Sequence, residues 1–230
     1  MNINDEISVG ISKLSPILSR HRFLKQINLS DNKFGDKGAE VLLKGLADNG
    51  ILEFLNLDRC ELSDCQWAAY ISRMDNLKSL NLACNNISDI GLQELCRHLE
   101  KAACLNYLSL ANNNFGERAI SLGSLIQQNA GLIELNLSGN HFQTDGVNGV
   151  AFGITQNKSL VKLNMTNCNI LEENIRKLCL ALCDNLLVEL VISGNPIDIA
   201  IQNNPRAYGF MMQAQINLEN MDELNGILML

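Results

Sequence analysis

The chain has 230 residues, of which 47% are hydrophobic, and its 25 acidic and 18 basic residues give a formal net charge of −7. This length is enough to bury one sizeable core, and three prolines leave little room for a disordered linker. The acidic balance excludes nucleic acid as the expected partner, because nucleic-acid binding draws on clustered Lys and Arg.

The first predicted element is a helix over residues 8–20, where Ile11, Leu14 and Leu18 follow the three- and four-residue spacing of one helical face. Pro16 is expected to kink or end this helix, because its ring blocks a helical hydrogen bond. The residues before it lack the apolar core of a secretory signal, and no segment reaches the roughly 18 apolar residues of a membrane span. A soluble, cytoplasmic protein with no membrane partner is therefore expected.

From residue 24 a nine-residue unit recurs seven times, with first residues spaced by 28, 25, 28, 27, 28 and 27. Each copy fits L-x-x-L-x-L-x-x-N/C, with Ile or Met replacing some leucines. Alternate residues of a strand face opposite ways, so positions four and six are expected to point inward and positions three and five outward. The copies are LKQINLSDN (24–32), LEFLNLDRC (52–60), LKSLNLACN (77–85), LNYLSLANN (105–113), LIELNLSGN (132–140), LVKLNMTNC (160–168) and LVELVISGN (187–195).

A helix is predicted after most of the units, because apolar residues then recur at spacings of three and four. Short side-chain oxygens near each helix start can accept a free backbone N–H. The expected N-caps are Asp36, Ser88 or Asp89, and Thr144 or Asp145. Trp67, the single tryptophan, follows the second unit, where the repeat is shortest, and is expected to pack inward.

This pattern resembles the leucine-rich-repeat family, and in particular its ribonuclease-inhibitor-like subclass, over about residues 8–197. The resemblance implies an α/β horseshoe-shaped solenoid with parallel strands on the concave face and helices on the convex face. Residues 1–23 are then an N-terminal helical half-repeat or cap, and residues 24–197 are seven repeats. The half-repeat leaves open whether the chain is a piece of a longer array.

The last residue of each unit lies where the strand ends and the chain turns. An Asn amide there can bond to backbone groups that would otherwise be buried without partners. A Cys in the same position is expected to be structural rather than reactive. The predicted ladder consists of Asn32, Cys60, Asn85, Asn113, Asn140, Cys168 and Asn195.

The eight cysteines show no C-x-x-C pair, and the three histidines are scattered, so zinc-binding spacing is missing. Reduced and mostly buried thiols are expected, with Cys179 and Cys183 as neighbours on one helical face. The sequence therefore predicts no metal and no other cofactor.

The outward third position varies most among the units and is the candidate binding surface. Large aromatics and charges stand there without a core to fill, and concave surfaces are the usual binding sites of repeat proteins. The alternative is a solvated face, with the binding site at a loop, a helix edge or the tail. The seventh and eighth positions of the second unit add Asp58 and Arg59. The candidate partner-binding residues are Phe54, Asp58, Arg59, Tyr107, Glu134, Lys162 and Glu189.

No motif of a known catalytic centre occurs, and no phosphate-binding glycine loop is present. Glu134 and Glu189 would lie two strands apart, at roughly 10 Å. That separation would suit an inverting glycosidase, but no enclosed pocket is expected around them. The chain is therefore predicted not to be an enzyme and to have no small-molecule substrate.

Residues 198–230 depart from the repeat, with Pro205 and Gly209 interrupting the helix expected there. Their apolar residues are expected to cap the last strand, because terminal repeats need a cover. A partner-binding or export tail is the alternative. The residues that would form the cover are Phe210, Met211, Met212, Ile216, Leu218 and Met221.

These observations together predict a non-catalytic scaffold that binds another protein of unknown identity. Three alternatives remain, of which the effector rests on resemblance alone and the fragment is favoured by the N-terminal half-repeat. The chain could be a regulator of a small GTPase, a bacterial effector delivered into host cells, or a fragment of a larger sensor or ciliary protein.

Overall fold

The computed structural model describes residues 3–182, 187, 189–196 and 216–217. The apolar residues 210–212, 218 and 221 of the predicted C-terminal cap lie outside the described residues, as does Cys183. The helices are α1 (Ile3–Arg20), α2 (Gly35–Ala47), α3 (Ala68–Ile71), α4 (Asp89–Leu99), α5 (Ser121–Gln128), α6 (Thr144–Gln156) and α7 (Glu172–Leu182). The strands are β1 (Gln26–Asn28), β2 (Phe54–Asn56), β3 (Ser79–Asn81), β4 (Tyr107–Ser109), β5 (Glu134–Asn136), β6 (Lys162–Asn164), β7 (Glu189–Val191) and β8 (Ile216–Asn217).

The strands form one parallel sheet whose order follows the chain from β1 to β8. Equivalent positions of the unit lie side by side, so Gln26 is opposite Phe54, and Phe54 is opposite Ser79. Each helix packs against the helices of the adjacent repeats. The arrangement confirms the predicted α/β horseshoe-shaped solenoid.

The core lies between the sheet and the helices. Leucines at positions four and six, such as Leu135 and Leu137, are fully buried, as are the helix residues Val147 and Val150 behind them. Burying one such side chain contributes roughly 1.5–3 kcal/mol, and stacking lets every repeat bury its leucines against the next.

The eighth strand lies in the segment that the sequence analysis assigned to the cap. Ile216 pairs with Leu190, and Asn217 pairs with Val191, both in the parallel register of the earlier strands. Ile216 and Asn217 therefore occupy positions four and five of the unit. The sequence pattern did not reveal this copy of the unit, because its first position holds Gln213 rather than leucine.

Pro16 does not end α1, which continues for four further residues to Arg20. The helix is held by its packing on α2 on either side of the proline. Ser15 Oγ donates a hydrogen bond to the Val41 carbonyl oxygen at 2.8 Å, and Leu18 is buried. Within the described residues, every helix is too short or too polar to span a bilayer.

One of the predicted helix caps is confirmed and two are wrong. Ser88 Oγ accepts a hydrogen bond from the Gly91 N–H at the start of α4. The N-cap residues of α2 and α6 are instead Phe34 and Gln143, and neither side chain caps its helix. The predicted caps Asp36, Thr144 and Asp145 lie inside the first turns of these helices. The Asp36 carboxylate instead accepts hydrogen bonds from residues of the next repeat.

Candidate functional site

The third positions of the seven units form one row across the sheet, on the face opposite the helices. We call it the concave row. Its members lie in register on adjacent strands, which are about 4.8 Å apart. The row consists of Gln26, Phe54, Ser79, Tyr107, Glu134, Lys162 and Glu189.

The first half of the concave row presents aromatic side chains. The Phe54 side chain is 40% exposed, and Tyr107 is half-buried two strands away. Ser79 lies between them and is too small to fill the gap. The strands that carry the two rings are therefore roughly 10 Å apart with only a small side chain between them, so both rings can contact an apolar side chain of a partner.

The second half of the concave row presents three charges that pair with one another. Lys162 Nζ lies 4.0 Å from Glu134 Oε1 and 3.4 Å from Glu189 Oε2. The lysine thus separates the two carboxylates that the sequence placed two strands apart. Such exposed pairs contribute less than about 1 kcal/mol to stability, so the charges are available to a partner.

Asp58 and Arg59 lie together at the end of β2, away from the concave row. Arg59 has a left-handed backbone with φ 54°, and its guanidinium lies 2.5 Å from Asp58 Oδ2 and 3.8 Å from Asp31 Oδ2. Burial and the neighbouring Asp58 carboxylate raise the pKa of the Cys84 thiol. Because Asp58 and Arg59 lie beyond the end of β2, they are not in the concave row with the other candidate residues.

The last residues of the units form a ladder of hydrogen bonds between repeats. Asn140 is fully buried; its Oδ1 accepts from the Asn113 N–H at 3.0 Å, and its Nδ2 donates to the Leu110 and Leu137 carbonyl oxygens. Asn85, Asn113 and Asn195 bond to the preceding repeat in the same way. The Asn32 side chain is exposed and, within the described residues, donates only to the Leu29 and Ser30 carbonyl oxygens of its own unit.

Two cysteines replace Asn in this ladder. Cys60 Sγ donates to the Leu29 carbonyl oxygen and Cys168 Sγ donates to the Leu137 carbonyl oxygen, both at 3.2 Å. Burial raises the pKa of Cys60 to about 11 and that of Cys168 to about 12. A neutral thiol can therefore serve as the hydrogen-bond donor that the Asn amide supplies elsewhere.

Asp36 joins the first repeat to the second, a role that sequence reasoning missed. Its carboxylate accepts hydrogen bonds from the Ser63 N–H, the Ser63 hydroxyl, the Asp64 N–H and the Trp67 indole. Burial alone would raise the pKa of Asp36, but these donors outweigh it and hold the pKa below its usual value. Trp67 is 1% exposed, which confirms that it packs inward.

A charged cluster lies at the second unit position, next to Phe54. Glu53 accepts from Lys25 and Lys78, each at 2.7 Å. Hydrogen bonds from the two lysines lower the pKa of Glu53 to about 2. Since the cluster joins two cations to one carboxylate, it leaves a net positive charge at this edge of the sheet.

The cysteines described here are all free thiols: Cys60, Cys65, Cys96 and Cys168 are buried, Cys84 is half-buried and Cys104 is exposed. Among the described residues, no group of three or more His, Cys, Asp or Glu side chains is arranged to hold a metal ion.

Comparison with known proteins agrees with this architecture. A family model for leucine-rich repeats matches residues 20–43, 75–96 and 128–151. The chain is 29% identical over 204 residues to a ribonuclease inhibitor of Sus scrofa, covering 74% of the chain and 45% of that protein. A ribonuclease inhibitor of Mus musculus is 30% identical over 197 residues, covering 82% and 43%.

The chain is a leucine-rich-repeat protein of the ribonuclease-inhibitor-like type. This leucine-rich-repeat protein is also 35% identical over 139 residues to NACHT, LRR and PYD domains-containing protein 13 of Homo sapiens, covering 58% of the chain and 13% of that protein. It spans less than half the length of the ribonuclease inhibitors that it matches.

Proposed function

We propose that this leucine-rich-repeat protein is a non-catalytic scaffold that binds another protein through its concave row. The observation that carries the proposal is the pair Phe54 and Tyr107 on either side of the small Ser79, with Phe54 40% exposed on a sheet face that no helix of the described residues covers. Aromatic residues are enriched among the few residues that dominate binding energy. The ribonuclease inhibitors similar to this chain are named for binding a protein, which supports the same class of function.

The charged half of the row would set the orientation of the partner. Glu134, Lys162 and Glu189 are each about two-fifths exposed and carry one net negative charge. A cationic side chain of the partner can bind either carboxylate, whereas a poorly matched surface meets repulsion. The aromatic half would therefore supply affinity and the charged half selectivity.

We further propose that the scaffold acts in the cytoplasm. Six thiols are unpaired in the described residues, and four of them are buried. Free thiols persist in reducing compartments, whereas secreted proteins tend to pair theirs.

The concave site is tested with the variant Phe54→Ala/Tyr107→Ala. A partner is first captured with the wild-type chain and identified by mass spectrometry, and its Kd is then measured with purified proteins. The double variant is expected to raise Kd by at least about 30-fold, which corresponds to two contacts of about 1 kcal/mol each.

The matched control is Phe152→Ala, which removes an exposed aromatic ring from α6 on the convex side. It is expected to leave Kd unchanged. The proposal fails if the partner binds the double variant as tightly as the wild type, because the concave row would then contribute nothing to binding.

A further inference from the structure

The loop between α1 and β1 is basic in an otherwise acidic protein. Residues 20–30 contain the cations Arg20, Arg22 and Lys25 and no carboxylate, whereas the chain as a whole has an excess of seven acidic residues. In the part of the chain that the structure describes, neither Arg20 nor Arg22 forms an ion pair. Their guanidinium groups are exposed and available to a ligand.

Phe23 directly follows Arg22 and is 87% exposed. The same position, immediately before the unit, is polar or small in four later repeats and aliphatic in the other two. The fold therefore does not need an aromatic ring at this position. The polar or small residues found there are Asn76, Cys104, Gly131 and Ser159.

The loop is held in place by its neighbours. Asn49 Nδ2 donates to the carbonyl oxygens of Leu18 and His21, both at 2.8 Å. The Phe23 N–H donates to His21 Nδ1 at 3.3 Å, and Lys25 pairs with Glu53 at 2.7 Å. Because the loop is already ordered, a partner loses little binding free energy in fixing its conformation.

We propose that Arg20, Arg22, Phe23 and Lys25, here called the basic corner, bind an acidic segment of a partner protein that also carries an apolar side chain. Guanidinium groups bind carboxylates through paired, charge-assisted hydrogen bonds, and the exposed ring offers the apolar side chain a surface to cover. Lys78 shares Glu53 with Lys25, so this carboxylate does not cancel the positive charge of the basic corner. The basic corner shares no residue with the concave row, so binding at either site can be disproved while binding at the other stands.

The test is a selection of phage-displayed random 12-residue peptides on the whole chain. We expect the selected peptides to carry at least two Asp or Glu residues around an aromatic or aliphatic residue. A synthetic copy should bind at least about 10-fold more weakly to Arg20→Glu/Arg22→Glu and to Phe23→Ala, and its Kd should rise with ionic strength.

The control variants are Arg118→Glu and Ile90→Ala, which change an exposed arginine and an 80% exposed isoleucine elsewhere on the surface. Both are expected to bind the peptide as the wild type does, and so is Phe54→Ala/Tyr107→Ala. Circular dichroism checks that every variant is folded.

Four outcomes would overturn the proposal. Selection could yield peptides without acidic residues, or peptides that bind Arg20→Glu/Arg22→Glu as tightly as the wild type. Selected peptides whose binding is lost only in Phe54→Ala/Tyr107→Ala would be ligands of the concave row. If no acidic peptide is selected but the wild type sediments with vesicles containing 30% phosphatidylserine, and the arginine variant does not, the ligand is an anionic lipid surface.

Discussion

Single side chains of the ladder decide whether the buried turns of this protein have hydrogen-bond partners. Asn140 satisfies one backbone N–H and three carbonyl oxygens from two repeats. An alanine would leave the buried Asn113 N–H without a partner, at a cost of about 1–3 kcal/mol, and would remove one of the two donors from each of the three carbonyl oxygens. The ladder is therefore where a one-residue change does most damage without altering the hydrophobic core.

We expect Asn140→Ala to lower the free energy of unfolding by about 3 kcal/mol. Asn32→Ala, at the same unit position but exposed, should lower it by less than about 1 kcal/mol. Urea denaturation followed by circular dichroism measures both. Equal losses of unfolding free energy in the two variants would mean that burying the hydrogen bonds of the Asn side chain does not affect stability.

The Asp36 carboxylate should make stability depend on pH. Its folded-state pKa is lowered, so its stabilisation is complete above the unfolded pKa of about 3.9 and is lost as the pH falls through the folded pKa. Asp36→Asn is therefore expected to be less stable than the wild type at pH 7, with a difference that shrinks below pH ~4.

Thermal unfolding from pH 7 down to pH 2.5 measures that difference. Asp48→Asn serves as the control, because Asp48 is exposed and makes one surface ion pair with Arg73. A gap between wild type and Asp36→Asn that stays constant over the whole range would contradict the assignment.

Which residues perform these roles could be predicted only in part. The ladder positions could be predicted from the unit. Wherever the unit ends in a buried turn, the side chain of its last residue must hydrogen-bond to the backbone groups of that turn. The role of Asp36 could not be predicted, since an Asp near the start of a helix indicates an N-cap when only the sequence is known. Its donors, Ser63, Asp64 and Trp67, lie 27 to 31 residues later and are brought to it only by stacking of the repeats.

Helices of adjacent repeats approach closely where glycines face each other. A Cβ at Gly123 in α5 would lie 2.5 Å from the Gly149 carbonyl oxygen of α6, and a Cβ at Gly149 would lie 2.8 Å from the Ile120 Cα. Both contacts are with backbone, which cannot rotate away as a side chain can. This spacing between α5 and α6 therefore depends on the missing methyl groups.

Gly123→Ala is expected to destabilise the protein by about 1–3 kcal/mol through overpacking, although alanine favours a helix. Gly10→Ala, in α1 with nothing within 4 Å of the added Cβ, should instead stabilise it by up to about 1 kcal/mol. Denaturant midpoints compare the two. Opposite signs are the expected result, and stabilisation by Gly123→Ala would show that the helices can move apart.

At the scale of elements, the strands were more predictable than the helices. A period of two over L-x-L gives the same buried face from the second copy on, because those strands meet equivalent neighbours, whereas Ile27 and Leu29 of the edge strand β1 are only partly buried. Helix lengths depend on how much room adjacent repeats leave, and α3 has only four residues where α2 and α6 have 13. Phe23 was missed as a surface feature because it lies outside the unit.

At the scale of the whole molecule, the ladder thiols can report how the array opens. We expect Cys60 and Cys168 to react with iodoacetamide at pH 8 at least about 100-fold more slowly than Cys104, since the thiolate is the reactive form and burial raises the pKa of both ladder thiols. Peptide mass spectrometry of a labelling time course measures each rate.

Comparable rates for Cys60 and Cys104 would contradict a closed ladder. A difference between Cys60 and Cys168 would carry separate information, because the two occupy the same position in the second and sixth repeats. Repeat arrays can open locally from one end, and unequal protection of the two thiols would locate that end.

The short second repeat has a consequence for spectroscopy. Trp67, the single indole of the chain, is buried beside the four-residue α3 and donates to Asp36 at 2.8 Å. Tryptophan emission from the native protein, excited at a wavelength that tyrosine does not absorb, thus comes from one junction, between the first and second repeats. A red shift of that emission will mark water entering there, even while the far-ultraviolet ellipticity of the remaining helices is unchanged.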